Sequence, residues 1–370
     1  MEIDKTLAWK LFRCVEAADP FTAAQLLPGQ SGMDIFFGAA SQKGIAEPVV
    51  RRAVERYDAY EQMVQRHAGD RRTFQRMMGS FSPEAQTDAA QAHRKAAFEA
   101  NSFIWGVKVR TQLAIHLVRA NEDGQSVDIA AIGGFVELVR MRPQTSWVIS
   151  RTAYVSEDGV IQPALPRKPI EGPADPEKAW DTQSILLQDF CSKPTPELTR
   201  EPVAGNYLET RLAPGAVGKT AATTLTFGEV YHRVAPRFRD QQPDDDAKFY
   251  VRLRTPAESF VSVMLVQRGI YTSRPPSFGV YGELDAELHH PAKLSEQTHL
   301  ASDAEIEHLG PADRPIVWAR EVPALGSLIE HACRRLDWPI GEFDAYQVRQ
   351  NYPILRSVAI TGFQVPKRNT

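Results

Sequence analysis

The segment Ala213-Pro214-Gly215-Ala216-Val217-Gly218-Lys219-Thr220 has residue types and spacing suited to phosphate chemistry. In a phosphate loop, backbone amides cradle the phosphates, a lysine reaches the β- and γ-phosphates, and a hydroxyl holds magnesium. Gly218, Lys219 and Thr220 fall on those places, with alanine at the first glycine position. A true phosphate loop leaves a buried hydrophobic strand and enters a helix at once. Here 206–212 is mostly polar, and Thr223-Thr224-Leu225-Thr226 is a poor helix opening. No apolar run ending in aspartate follows to give a second magnesium ligand. The competing reading is a Gly/Pro turn with an exposed lysine. A nucleotide hydrolase therefore stands only as a further alternative.

Other reactive residue types are scattered. His289-His290 are adjacent, no HxxxH or HExxH occurs, and His299 and His308 could join them only through loop geometry. Asp244-Asp245-Asp246, flanked by Gln241, Gln242 and Pro243, reads as an exposed turn rather than a metal cluster. There is no GxSxG, and Cys14, Cys191 and Cys333 lie far apart without a CxxC pair. The sequence assigns no catalytic residue, no metal site and no cofactor.

The clearest candidate binding surface is basic. Arg51, Arg52, Arg56, Arg66, Arg71, Arg72 and Arg76 crowd the segment between Pro48 and Gly79, partly offset by Glu47, Glu55, Asp58, Glu61 and Asp70. Arg52 and Arg56 are neighbours on a helix and can reach successive phosphates of a nucleic-acid backbone. Arg52, Arg56, Arg71, Arg72 and Arg76 are the candidate nucleic-acid contacts. The competing reading is a solvated face laced with salt bridges.

These groups must be positioned by a chain of 370 residues, long enough for two domains. Its 43% hydrophobic and 24% charged residues are globular values. A formal net charge of −3 argues against a surface built wholly for nucleic acid but permits a local basic face. Three separated cysteines and an acidic N-terminus without an apolar run predict a cytoplasmic, reduced protein with no membrane partner.

Periodicity predicts an α+β protein. Helices are expected from Asp4 to before Asp19-Pro20, from Pro48 to about His67, and from Ser82 through an alanine stripe at 89, 92, 96, 97 and 100 that would permit close helix contact. A short apolar segment lies at 33–40. Near Gly106 the period changes, and 107–117 alternates as a strand. Helix and strand compete over 127–140; 145–155 could be a strand. Prolines 163, 166, 169, 173 and 176 make 162–177 an extended connector. The expected domains are thus 1–161, helix-rich with a small sheet, and 178–370, mixed α/β. In the second, helices are expected over 178–191, along Phe227, Val230, Tyr231, Val234 and Phe238, from the capping box Thr255-Pro256-Ala257-Glu258 to Arg268, and over 325–336. Strands are expected over 248–254 and 357–365.

Ile3-Asp4-Lys5-Thr6-Leu7-Ala8-Trp9-Lys10-Leu11 resembles the recognition helix of a helix-turn-helix. With PGQSGM (28–33), HAGDR (67–71) and HRKAAFEANSFIWGV (93–107), most of the chain is similar to an uncharacterised bacterial family labelled at most as transcriptional regulators. The resemblance implies a DNA-binding or ligand-responsive regulator, non-enzymatic and oligomeric. A helix-turn-helix places its positioning helices before the recognition helix; here the scaffold would have to come from 23–40. The alternative from another class is a self-assembling structural protein, whose subunit contacts the connector and back half would make.

Overall fold

The computed structural model describes residues 3–17, 19–79, 83–152, 154–155, 161–162, 167–171, 185–203, 207–239, 246–283, 299–314 and 317–368. The fold is α+β, helices first and strands after. Two compact units divide between His93 and Arg94.

The first unit is helical: α1 (Lys5–Val15), α2 (Pro20–Leu26), α3 (Gln30–Gln42), α4 (Glu47–Ala68) and α5 (Arg71–Gly79), followed by the start of α6 (Pro83–Trp105). Local chemistry sets its boundaries. Asp4 caps α1 through Thr6 N at 2.6 Å, and Asp19 caps α2 through Phe21 N at 2.8 Å ahead of Pro20. Pro48 sits in the first turn of α4, which Gly69 ends at φ +78°, a left-handed conformation that glycine adopts without strain. The apolar segment at 33–40 is part of α3, and Met33, Phe37 and Tyr57 form the unit's buried centre with Leu11, Leu27, Val50, Val54 and Tyr60 around it. The alanine stripe of α6 makes no close helix contact where its side chains are described: Ala92, Ala96, Ala97 and Ala100 are exposed.

The second unit is organised by a seven-stranded sheet. It contains β1 (Val107–Ala120), β2 (Ser126–Arg140), β6 (Arg167–Pro169), β9 (Thr223–Pro236), β11 (Ala257–Gln267), β14 (Ile306–Pro311) and β15 (Phe343–Asn351). Their order is β14-β15-β11-β1-β2-β9-β6. β1 pairs in parallel with β11, from Val109 opposite Ala257 to Val118 opposite Val266, and antiparallel with β2. Leu113, Ile115 and Leu117 of β1 with Val261, Val263 and Leu265 of β11 pack against α7 (Leu325–Leu336), whose Leu325, Leu328, Ile329 and Ala332 are buried. Ala114, Val118, Phe260, Met264 and Val266 pack instead on a four-stranded sheet, β10 (Asp246–Leu253), β16 (Ser357–Gln364), β12 (Ser277–Gly282) and β13 (His299–Leu300). A three-stranded sheet of β3 (Trp147–Thr152), β8 (Tyr207–Leu212) and β7 (Leu198–Val203) adds Ile149, Leu198 and Leu212 to a further core cluster. β4 (Tyr154–Val155) and β5 (Ile161–Gln162) form a short pair.

Several expectations change. The boundary between the two compact units falls between His93 and Arg94. Within the expected connector 162–177, Gln162 ends β5, 167–171 carries β6 and the buried Ile170, and strands from both sides of this stretch share one sheet. The expected helix from the capping box is β11, the strand between β1 and β15. Its run Phe260–Val266 is buried on both faces, as a central strand with covered faces requires, and the β-branched content that signalled burial also suits a pleated sheet. The residues expected as a helix from Phe227 are β9, paired with β2 and β6. Within 185–191 the chain makes only a short 3₁₀ turn at Gln188–Phe190; 178–184 falls outside the described residues. Over 127–140, where helix and strand competed, the chain forms strand β2. The strands expected over 107–117, 248–254 and 357–365 and the helix at 325–336 are present as β1, β10, β16 and α7.

Candidate functional site

The arginines of the first unit separate into two kinds. Arg52, Arg56 and Arg66 lie with Val49, Ala59 and Met63 at alternating spacings of three and four along α4, which puts them on one helix face. All six are exposed, Val49 by 58% and Met63 by 36%. From Arg52 to Arg66 that face runs about 21 Å at the α-helical rise. Among the described residues none of these three arginines has an ion pair, nor has exposed Arg72 on α5. Arg51, on a neighbouring line, pairs with Glu47 at 3.6 Å. The side chain of Arg76 falls outside the description.

Arg71 has a different role from the one its sequence setting suggests. Its Nη1 donates to Pro28 O at 2.7 Å and to the Tyr57 hydroxyl at 3.0 Å, and its Nη2 donates to Leu27 O at 2.8 Å. The guanidinium also pairs with Glu61 at 3.1 Å and lies over the Tyr60 ring. It ties the α2–α3 connection to α4, with both Nη1 and Nη2 engaged internally. Burial, with the Glu61 carboxylate accepting its proton, pushes the Tyr57 phenol up to about 12 against the opposing pull of Arg71. No spacing rule separates Arg71 from Arg72; only the tertiary position of the Leu27 and Pro28 carbonyls does.

The helix with recognition-like residues, α1, turns Trp9, Phe12 and Val15 outward, 57%, 62% and 82% exposed. The scaffold sought at 23–40 consists of α2 and α3 joined by Leu27, Pro28 and Gly29. The exposed residues of α3 include no cation, so the basic face belongs to α4 and α5.

The phosphate-loop-like segment lies between two strands, β8 and β9. Gly218 takes φ +88°, and after a 3₁₀ turn at Lys219–Ala221 the chain enters β9 rather than a helix. The helix that a phosphate loop enters is therefore absent after this loop, where β9 follows instead, and the Gly218 amide donates to Arg140 O at 2.9 Å. Lys219 and Thr220 are exposed.

Among the described residues no group of three or more His, Cys, Asp or Glu side chains could hold a metal ion. His299 packs on Tyr281 and His308 stacks on Tyr346, so the described histidines of that region are separated; His289, His290, Asp244 and Asp245 fall outside the description. Glu171 and His331 form a close acid–imidazole pair beside Phe190. Burial raises the thiol pKa of Cys14, Cys191 and Cys333, the last to about 12, which keeps them protonated and weakly nucleophilic. No helix of the described residues is long and apolar enough to cross a membrane. No family model, curated protein or solved structure matches the chain.

Proposed function

We propose that the chain is a non-enzymatic regulatory protein that contacts the phosphate backbone of duplex DNA through Arg52, Arg56, Arg66 and Arg72. The observation that carries this reading is the row of unpaired arginines on one exposed face of α4. Cations held in a row without internal carboxylate partners are available to phosphates, and neutralising them releases counterions from the duplex. Arg71 leaves the set proposed from sequence because its donors are used internally, Arg76 is left aside because its side chain falls outside the described residues, and Arg66 enters it. The four contacts are to phosphates, which position the protein on the duplex but carry no sequence information, so the binding is weakly selective for sequence. The sheet unit then serves ligand sensing or subunit contact.

The test is fluorescence anisotropy with a labelled duplex at rising salt. Four phosphate contacts give a slope of about −3.6 in log affinity against log salt, or about 100-fold weaker binding at 200 mM than at 50 mM. Reversing Arg52, Arg56 and Arg66 to Glu should remove most of that slope. Salt-independent binding, or binding untouched by the reversals, refutes the proposal.

A self-assembling structural protein is the second reading, favoured by the outward row Trp9, Phe12 and Val15 and by Phe103 and Ile104 of α6, exposed by 70% and 62%. Solution mass separates the two. A large defined assembly without DNA supports the structural reading; a DNA-dependent shift of a small oligomer supports the regulator.

A further inference from the structure

The second unit holds a buried cation with no counter-charge among the described residues. Arg140, the last residue of β2, is only 6% exposed. The other buried charged side chains all have partners of opposite or titratable charge: Arg94 with Asp303 at 2.7 Å, Asp128 with His232 at 3.2 Å, and Glu209 with Arg211. Among the described residues Arg140 has no ion pair. Its Nη2 donates to Ala213 O, and its Nε is buried with no hydrogen-bond partner. Burial lowers the pKa of the guanidinium, the sign of a charge held away from water without compensation. An isolated buried charge is costly and calls for a counter-ion.

What lies over this cation is the Gly/Pro loop before β9. Nη1 of Arg140 is so close to Gly215 that a Cβ there would stand 3.2 Å from it. Glycine at 215 thus lets the loop backbone lie this close to the guanidinium. The amides of Gly215, Ala216 and Val217 donate to no acceptor among the described residues, and neither does that of Lys219. Gly218, held by Arg140 O, sets the exposed Lys219 next to this row of donors. Unpaired backbone amides at a turn with a positive-φ glycine form an anion-binding concavity when a cation completes it.

We propose that Arg140 and the loop 215–219 form a binding site for a phosphate group, with the guanidinium below, loop amides around and Lys219 at the mouth. The site binds the anion without hydrolysing it, since among the described residues no cluster of metal-ligating side chains stands beside the loop and a strand, not a helix, follows it. It is independent of the arginine face on α4.

The experiment is calorimetric titration of the full chain with inorganic phosphate, and separately with a nucleoside diphosphate, against chloride at matched ionic strength. Wild-type protein should bind phosphate, Lys219→Ala about tenfold more weakly or worse, and Arg140→Met without detectable affinity. Gly215→Ala, which crowds Nη1, should weaken binding as well and keeps the test decisive if Arg140→Met does not fold. Tighter binding of the nucleoside diphosphate supports the site with a phosphate ester as ligand; equal binding supports it with the free ion. An equal response to chloride, or affinities unchanged in Lys219→Ala and Gly215→Ala, means an adventitious ion only and overturns the proposal.

Discussion

Arg71 and Arg72 are adjacent arginines with opposite environments, and replacing each by methionine tests the assignment of one to the fold and the other to the surface. Methionine keeps most of the stem's packing and removes the guanidinium. At Arg71 the loss strips a charged donor from the Leu27 and Pro28 carbonyls, from the Tyr57 hydroxyl and from the Glu61 carboxylate. Taken singly, hydrogen bonds to a charged group are worth about 1.5–3 kcal/mol. The four contacts share one side chain and are not additive, and water reaches part of the site, since the Arg71 and Glu61 side chains are 22% and 31% exposed. The net cost is therefore about 2–3 kcal/mol, or about 10–20 °C in the melting of a unit this size. At Arg72, exposed and unpaired, methionine should change stability by no more than about 0.5 kcal/mol. Urea denaturation of the full chain, followed by the helical circular dichroism signal, reads both, and duplex affinity is measured on the same samples. Arg71→Met should shift the denaturation midpoint and Arg72→Met the DNA affinity. Equal midpoint shifts, or lost affinity at Arg71→Met with unchanged stability, would refute the reasoning.

Two further outcomes follow from the sheet unit. His116 packs against Phe249 with its ring centroid 5.7 Å away, and its Nδ1 is buried without a partner. Burial depresses its pKa to about 4, so the unfolded chain binds the proton more readily than the folded one. Stability from this residue is full above the ordinary histidine value and lost as pH falls from about 6.5 toward 4, by up to about 3 kcal/mol. His116→Phe should flatten the dependence of unfolding free energy on pH across that window; an unchanged slope would contradict it. A Cβ at Gly133 would stand 2.5 Å from the Phe227 ring, so Gly133→Ala forces β2 and β9 apart. A loss of about 1–3 kcal/mol is expected in thermal melts, restored in part by Phe227→Leu, and no loss would show that the ring turns aside freely.

The elements with local chemistry were legible in the sequence, and those defined by distant partners were not. Asp4, Pro48 and Gly69 carry the boundaries of α1 and α4 because caps, first-turn prolines and left-handed glycines act within a few residues. Strand β1 showed its alternation, and α7 its apolar face. The segment 257–267 did not show its type. Its capping box and apolar run satisfy a helix locally, yet β1 on one side and β15 on the other supply ladder partners for its whole length, and burial on both faces suits a central strand. The candidate site divides in the same way. Sequence placed cations on α4 and α5 and a glycine-rich loop at 213–220. It could not tell Arg71 from Arg72, because the carbonyls that engage Arg71 lie more than forty residues earlier in the chain. Nor did it single out Arg140, whose unpaired burial beneath Gly215 arises from a contact 73 residues apart. Residue types and short-range periodicity thus determined that there would be a helical front, a change to strand near Gly106 and a basic helix. Which charges face solvent, which brace the fold and which lie buried without a partner was decided only when folding brought distant segments together, because burial and pairing are properties of neighbours in space.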